Sequence, residues 1–466
     1  MVMKRLTLMA FILGMLACGQ APKTETQEVV MVEEKVESRH PEWVKSANIY
    51  EVNIRQYSKE GTFAAFAAHL PRLKEMGVDI LWFMPIQPIG IKNRKIEGDE
   101  NLGSYYSISD YTAIHPDYGT EEEFKALVEQ AHSMGMHIIL DWVANHTSFD
   151  HHWTVEHPDF YSHDKKGNIN VALDLEGNPT DWTDVADLEY SNLELREAMF
   201  QEMAWWVKEF NIDGFRCDVA GFVPNDFWDD LRPKLEELKP LFMLAEWEDP
   251  AHMKSAFNMN YGWEYHHLIN EIAQEKGGVE ILDSYLDKVD TLYSKDDIRM
   301  YFTTNHDENS WNGTVFERMG DQNRNMFLLS ATLPGMPLIY SGQEAGLDHR
   351  LSFFGKDEID WSNKEPLPFY AKVLALKHNN SALWNGNWGA DFERIDVSVK
   401  GIYAFTRKSK QNEVIVYLNL GSEDQSIDIS SLGNIESYTD HPFGEGVSVT
   451  EGKLNLPSAS TLVLTK

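Results

Sequence analysis

The sequence predicts a (β/α)8 barrel followed by a small all-β domain, on three observations. From Pro41 onward, short apolar runs of strand length alternate with amphipathic stretches of helical period, and eight such runs fall within about 300 residues. From about residue 382 the pattern changes to short β-rich runs. No glycine-rich phosphate turn follows the first run, which counts against an open doubly wound sheet.

The elements follow in order. Runs at 48–57 and 78–85 read as strands, with a helical stretch at 62–77 between them. Helical stretches at 121–135, 194–210 and 226–239 each lead into a strand, at 136–146, 214–220 and 241–248. A weaker strand at 257–264 precedes a long helical stretch; a strand at 298–309, a helix at 323–333 and a last strand at 336–343 complete the barrel. One connection is abnormal. Between His146 and Glu194 lie nearly fifty residues rich in His, Asp, Trp, Asn and Gly, and a loop of that length leaving a barrel strand is usually functional. In the tail, 402–407, 414–419 and 461–464 read as strands.

Ahead of the barrel, residues 1–18 have a basic start at Lys4 and Arg5, an apolar stretch from Leu6 to Leu16, and then Ala17-Cys18-Gly19. The apolar stretch is too short to span a membrane as a helix and reads as a signal-peptide core. The ending resembles a bacterial lipobox, although Met15-Leu16 depart from its usual residues. It implies lipid on Cys18 and anchorage in the bacterial cell envelope outside the cytoplasm, with plain secretion as the alternative. Residues 19–40 are polar, acidic and free of aromatics, the composition of a tether. The expected division is therefore signal 1–18, tether 19–40, barrel 41–381 and β domain 382–466.

Composition narrows the function. A length of 466 residues suits one large domain plus a small one, and 42% hydrophobic residues suffice for a sizeable core. Aromatics reach 12%, with 14 Trp; most serve a core, yet pyranose rings also stack on such faces. A net charge of −33 repels nucleic acid and anionic membrane surfaces, so contact with a membrane is expected only through the lipid. A neutral substrate tolerates that charge and a polyanionic one does not. Two cysteines, Cys18 and Cys217, cannot build a disulfide framework.

Barrel enzymes carry their chemistry at the C-terminal ends of the strands. Four of those ends are rich in polar side chains: DWVANH at 141–146, GFRCD at 214–218, Ala245-Glu246, and TNHD at 304–307. Period-two alternation sends Arg216 and Asp218 to one side of their strand and Cys217 to the other, against the helix layer. Arg216 beside Asp218 is expected to hold that carboxylate ionised at neutral pH, as a nucleophile must be. A single such carboxylate is easily a structural ion pair. Three of them with Arg and two His at successive strand ends fit glycoside hydrolysis, which needs one protonated and one ionised carboxyl flanking a bond.

The segments DWVANH, GFRCDVA, the strand ending at Glu246, and FTTNHDEN resemble the four signature regions of the α-amylase family of glycoside hydrolases, in the same order and spacing. The resemblance spans roughly 45–350, and the sequence is identified as a lipoprotein-type bacterial member. It implies an inserted domain B at about 147–190 and a C-terminal antiparallel β-sandwich. It implies Asp218 as nucleophile, Glu246 as general acid and base, and Asp307 as stabiliser of the cationic transition state. Arg216 orients Asp218, His146 and His306 bind sugar hydroxyls, Tyr106 in SYYSISDY stacks on the sugar, and Asp141 supports the site from below. Asn145 and Asp187 match positions that hold a structural calcium in many members.

The expected activity is retaining cleavage of α-1,4-glucosidic bonds in starch-like glucans or malto-oligosaccharides. Alternatives are a same-family α-glucosidase, a cyclomaltodextrinase-like enzyme, a glucanotransferase, and a surface glucan-binding protein with a dead barrel. The last is disfavoured because all three carboxylates are present. One departure stands out. Many members place Lys-His three and four residues after the nucleophile, where this chain has Gly221 and Phe222. The Lys that contacts sugar beyond the cut is missing, and Phe222 offers an apolar platform instead. Alternation cannot aim His306 and Asp307 the same way, so the strand is expected to have ended before them.

Overall fold

The computed structural model describes residues 38–95, 101–430 and 437–466. Eight strands close a parallel barrel: β1 (Ile49–Val52), β2 (Ile80–Phe83), β3 (His137–Trp142), β6 (Gly214–Cys217), β7 (Phe242–Ala245), β8 (Met259–Tyr261), β9 (Ile298–Tyr301) and β10 (Met336–Tyr340). Within the long connection after β3, two short strands, β4 (His146–Ser148) and β5 (Val185–Asp187), form their own antiparallel pair. That connection is the expected insertion.

Alternation along each strand builds two cores. Inward-facing Ile49, Ile80, Ile139, Phe242, Met259, Ile298, Met336 and Leu338 fill the barrel interior. Their outward neighbours, among them Tyr50, Leu81, Ile138, Phe215, Cys217 and Met243, pack beneath the surrounding helices. Cys217 lies on the helix side as a buried free thiol. Gly214 opens β6 where a side chain has no room, since an added Cβ would sit 1.8 Å from the Phe242 carbonyl oxygen. This lets the strand carrying Arg216 lie close against β7. Local signals start and stop the outer helices. Thr120 and Glu123 form a reciprocal capping box at the helix Glu121–Ser133. Asn192 caps Leu193–Phe210, which ends on Asn211 in the left-handed region at φ 57°.

The strands are shorter than their apolar runs suggest. The run at 48–57 pairs only through Val52 and then turns into a helix at Ile54–Tyr57. The run at 136–146 divides, β3 ending at Trp142 and His146 starting β4. The run at 241–248 keeps strand form only at Phe242–Ala245, and the run at 298–309 only at Ile298–Tyr301. The reason is geometric: the apolar sequence continues into buried loops above the barrel, where no neighbouring strand remains to pair with. Asp307 accordingly has helical backbone, φ −72° and ψ −51°, so the strand does end before it.

Beyond the helix Leu367–Asn379 and two short helical turns at Ser381–Leu383 and Gly386–Trp388, the described chain is built of strands. Strands β11 (Phe392–Ile395), β12 (Ile402–Lys408), β13 (Glu413–Asn419), β15 (Thr439–Phe443) and β18 (Thr461–Thr465) form one antiparallel sheet. Strands β14 (Gln425–Asp428), β16 (Ser448–Thr450) and β17 (Lys453–Leu456) form a second. Their facing side chains, including Ile402, Ile415, Ile427, Leu454 and Leu464, share a core of their own, as a sandwich requires. The buried Arg407 joins this domain to the barrel, donating to the carbonyls of Thr332, Leu333 and Ala390.

The structure shortens the expected tether. Ser38 donates to Asp296, Arg39 pairs with Asp297, and the buried His40 lies 2.9 Å from the Asn258 amide, so residues 38–40 belong to the packed body. Cys18 and the signal segment lie outside the described residues. Among the described residues no helix is long and apolar enough to cross a membrane.

Candidate active site

The upper ends of the barrel strands converge on one guanidinium. Arg216, fully buried on β6, donates from Nη1 to Asp141 Oδ1 at 2.8 Å and to Asp218 Oδ1 at 2.9 Å. Its Nη2 lies 2.8 Å from Glu246 Oε1, a close charge contact without hydrogen-bond alignment. Its Nε donates to Tyr261 OH at 3.2 Å. Asp141 is held from below and beside by Trp82 Nε1 at 3.2 Å and Tyr106 OH at 3.3 Å.

Asp218 and Glu246 each expose less than a tenth of their surface, and both line one cleft of about 780 Å3. Asp307, Tyr106, His146, Trp182, Trp311 and Phe353 line it as well. Between Asp218 and the loop that follows, Val219 stands in the left-handed region at φ 35° and ψ 49°. A β-branched residue adopts that conformation only under strain, of the order of 1–3 kcal/mol. The strained turn points the Val219 N–H at Glu246 Oε2, 2.7 Å away.

Electrostatics separate the carboxyls. Burial raises Asp218, Arg216 opposes it, Asp141 adds to the rise, and the group comes to about 6. Desolvation is a larger effect on Asp218 than the neighbouring Arg216 to which the sequence points, although Asp218 still ionises below neutrality. Burial, reinforced by Asp218 and Asp307 against Arg216, raises Glu246 to about 8. Burial disfavours the Asp307 charge too, but His306, Arg216 and Trp311 together hold that carboxyl below its usual range. Burial pushes His146 down to about 3, so it is neutral, with Asn145 Nδ2 3.1 Å from its Nδ1. His306 sits under the cleft with Nε2 2.6 Å from Tyr106 OH and 3.2 Å from Asp307 Oδ2.

The fold thus gathers Asp218, Glu246, Asp307, Tyr106 and His146 around one cavity, with Arg216, Asp141 and His306 directly beneath. Asn145 and Asp187 come to neighbouring positions, since β4 and β5 pair His146 with Asp187. Their fit to calcium is partial. The ion takes six to eight oxygens, and this pair brings one amide and one carboxylate. Both Asp187 oxygens already accept protein hydrogens, from Ser162 Oγ at 2.6 Å and Leu173 N at 3.0 Å. Among the described residues no three His, Cys, Asp or Glu side chains gather into a metal-holding group. The pair alone supplies too few free oxygens to hold calcium by itself.

Sequence reasoning missed Trp182 and Phe353, which reach the cleft from loops, Trp311, which reaches it from the helical turn Glu308–Asn312, and Glu51, which reaches His306 from β1. The inward position of Glu51 in the alternating IYEV run was the available signal. The departure at Gly221 acquires a physical reason. An added Cβ there would lie 2.1 Å from the Trp247 indole, so Trp247 fills the space a side chain at 221 would need. Phe222 packs between Trp247 and Trp182, at 5.5 and 6.0 Å between ring centroids.

A closed parallel barrel with an insertion after its third strand and acid-rich strand ends defines a glycoside hydrolase of barrel type. The family model described as "Alpha amylase, catalytic domain" matches residues 40–365, and the chain belongs to the α-amylase family. It is similar to alpha-amylase MalA of Haloarcula japonica, 26% identical over 83% of this chain and 57% of that protein. An alpha-1,4-glucan:maltose-1-phosphate maltosyltransferase of Rhodospirillum rubrum is 30% identical over 72% of this chain and 51% of its own length. The chain therefore spans little more than half of these two relatives. Among solved structures, an alpha-amylase from Lactobacillus plantarum superposes with a TM-score of 0.77 at 29% identity, covering 91% of this chain and 99% of the other.

Proposed function

We propose that the protein hydrolyses α-1,4-glucosidic bonds in starch-like glucans or malto-oligosaccharides by double displacement. The observation that carries this reading is the Arg216 guanidinium bridging Asp218 and Glu246. Bridging by one guanidinium keeps the two carboxyls close to each other, and a short separation favours attack by a carboxylate over attack by an interposed water.

In this mechanism Asp218 Oδ attacks the anomeric carbon while Glu246 gives its proton to the departing glycosidic oxygen. The C–O bond breaks, a glycosyl ester forms on Asp218, and Glu246 is left as a carboxylate. It then takes a proton from water, whose oxygen displaces Asp218 and restores both groups. Asp307, kept anionic beside His306, stabilises the positive charge on the ring in both transition states. Tyr106 offers its ring to the sugar and His146 an N–H to its hydroxyls, while both ring nitrogens of His306 are taken up by Glu51, Tyr106 and Asp307 beneath the cleft. The proposal also places the enzyme in the bacterial cell envelope, held by lipid on Cys18, on the strength of residues 1–18.

Chromatography of products from starch, pullulan, cyclodextrin and maltotriose tests the reaction type. Shorter linear malto-oligosaccharides with new reducing ends are expected. The resemblance to a maltosyltransferase supports a second reading, sugar transfer. Products longer than maltotriose from maltotriose, with no net gain of reducing ends, would replace hydrolysis by that reading.

A further inference from the structure

Beneath the cleft lies a buried carboxylate that the mechanism above does not use. Glu51 is on β1, fully buried, and faces the barrel axis. Its Oε1 accepts from His306 Nδ1 at 2.5 Å and from the His306 backbone N–H at 3.3 Å. Its Oε2 is buried without a protein partner. A carboxyl taken out of water and left half unsatisfied is costly, which calls for a charged partner rather than packing alone.

The hydrogen-bond geometry on the other side of His306 is complementary. Nε2 faces Tyr106 OH at 2.6 Å and Asp307 Oδ2 at 3.2 Å. Tyr106 can direct its own proton to Asp141 Oδ2 at 3.3 Å, which leaves its oxygen as an acceptor for His306. Each ring nitrogen then meets acceptors, and a neutral imidazole would place a lone pair against one of the two carboxylates.

We propose that Glu51 is a positioning residue that holds His306 as a buried cation in a Glu51–His306–Asp307 line, and through it keeps Asp307 anionic and aimed. The inference rests on the role proposed above for Asp307. The groups facing His306 are consistent with it: Glu51 from β1, Asp307 beside it, and Tyr106 with Asp141 behind it from the loop after β2 and from β3. The Trp82 ring packs edge-on at 6.0 Å. Burial acts against a charged imidazole, yet Asp307 and Glu51 together raise His306 well above the ordinary histidine range. Burial raises the Glu51 carboxyl above its usual range, and His306 together with Arg216 on β6 opposes that rise.

The test joins a spectroscopic readout to a pH profile. Imidazole 15N spectra of the whole protein, with His306→Gln to assign the signal, should show both His306 nitrogens protonated up to pH 8. In Glu51→Gln, which keeps the shape and removes the charge, His306 should become a single neutral tautomer above neutral pH. The kcat at pH 8 should then fall about tenfold or more, while most activity returns at pH 6 and KM moves little. Glu51→Asp, which keeps the charge, should retain the His306 cation and serves if Glu51→Gln does not fold. A neutral His306 in the wild type at pH 7 would overturn the proposal, as would a Glu51→Gln profile unchanged or lowered equally at every pH. The spectra do not depend on turnover, so a failure of the hydrolytic reading would be seen separately.

Discussion

The lower and upper layers of the barrel are built on the same strands, yet they have opposite chemistry. At the bottom, Ile49, Ile80, Ile139, Ile298 and Leu338 close an apolar plug of buried side chains. Two residues further along β1 and β3, the inward positions are Glu51 and Asp141, and on β6 it is Arg216. The side-chain direction is unchanged; only the height differs. Stability comes from the layer where every neighbour is apolar, and reactivity from the layer where desolvation acts on charges confined together. The strained Val219 and the unsatisfied Glu51 Oε2 both lie in the upper layer. A structure anchored by its lower layer tolerates such features where they serve a site.

Substitutions in each layer should therefore separate turnover from stability. The largest effect is expected from Asp218→Asn. It preserves the shape and removes the attacking charge, so kcat on malto-oligosaccharides should fall by about four orders of magnitude or more. Its melting temperature should hold or rise, because a buried charge with a carboxylate neighbour has been neutralised. A loss under tenfold in steady-state turnover would remove Asp218 from the reaction.

The pH dependence of kcat/KM should be smaller in effect but more telling about the upper layer. Asp218 must be ionised, which fails as pH drops below about 6, and Glu246 must be protonated, which fails as pH rises above about 8. A bell with limbs near those values follows, falling about tenfold for each pH unit beyond either limb. A flat profile between pH 5 and 9 would contradict the charge separation.

The lower layer gives the smallest change in turnover. Leu338→Ala removes a fully buried side chain from the plug and should cost about 2–5 kcal/mol of stability by urea denaturation. The kcat of the folded protein should stay within a few-fold of wild type. A large loss of kcat at full stability would mean that the two layers are not separable.

Much of this was legible in the sequence, for definite reasons. Period-two alternation separated Arg216 and Asp218 from Cys217 because β6 is a regular strand paired on both sides. The break before Asp307 was legible for the same reason in reverse, since two adjacent residues cannot share a face. Strand ends were misjudged because loops such as 143–145 are buried like strands without pairing as strands. Trp182, Trp311 and Phe353 come from three distant segments, and their meeting at one cleft is a property of the folded chain alone. Glu51 is a single acid in an apolar run, and only the closed barrel reveals that it faces His306 rather than a surface cation.

The proposed double displacement has one guanidinium hold the two carboxyls close enough for direct attack on sugar. It makes a stereochemical commitment that stability and pH profiles do not. Proton NMR of the sugar first released from a malto-oligosaccharide, recorded before mutarotation, reads it directly. The new reducing end is expected to appear as the α-anomer. Initial appearance of the β-anomer would mean that water attacks in place of Asp218, and the assignment of roles to Asp218 and Glu246 would be wrong.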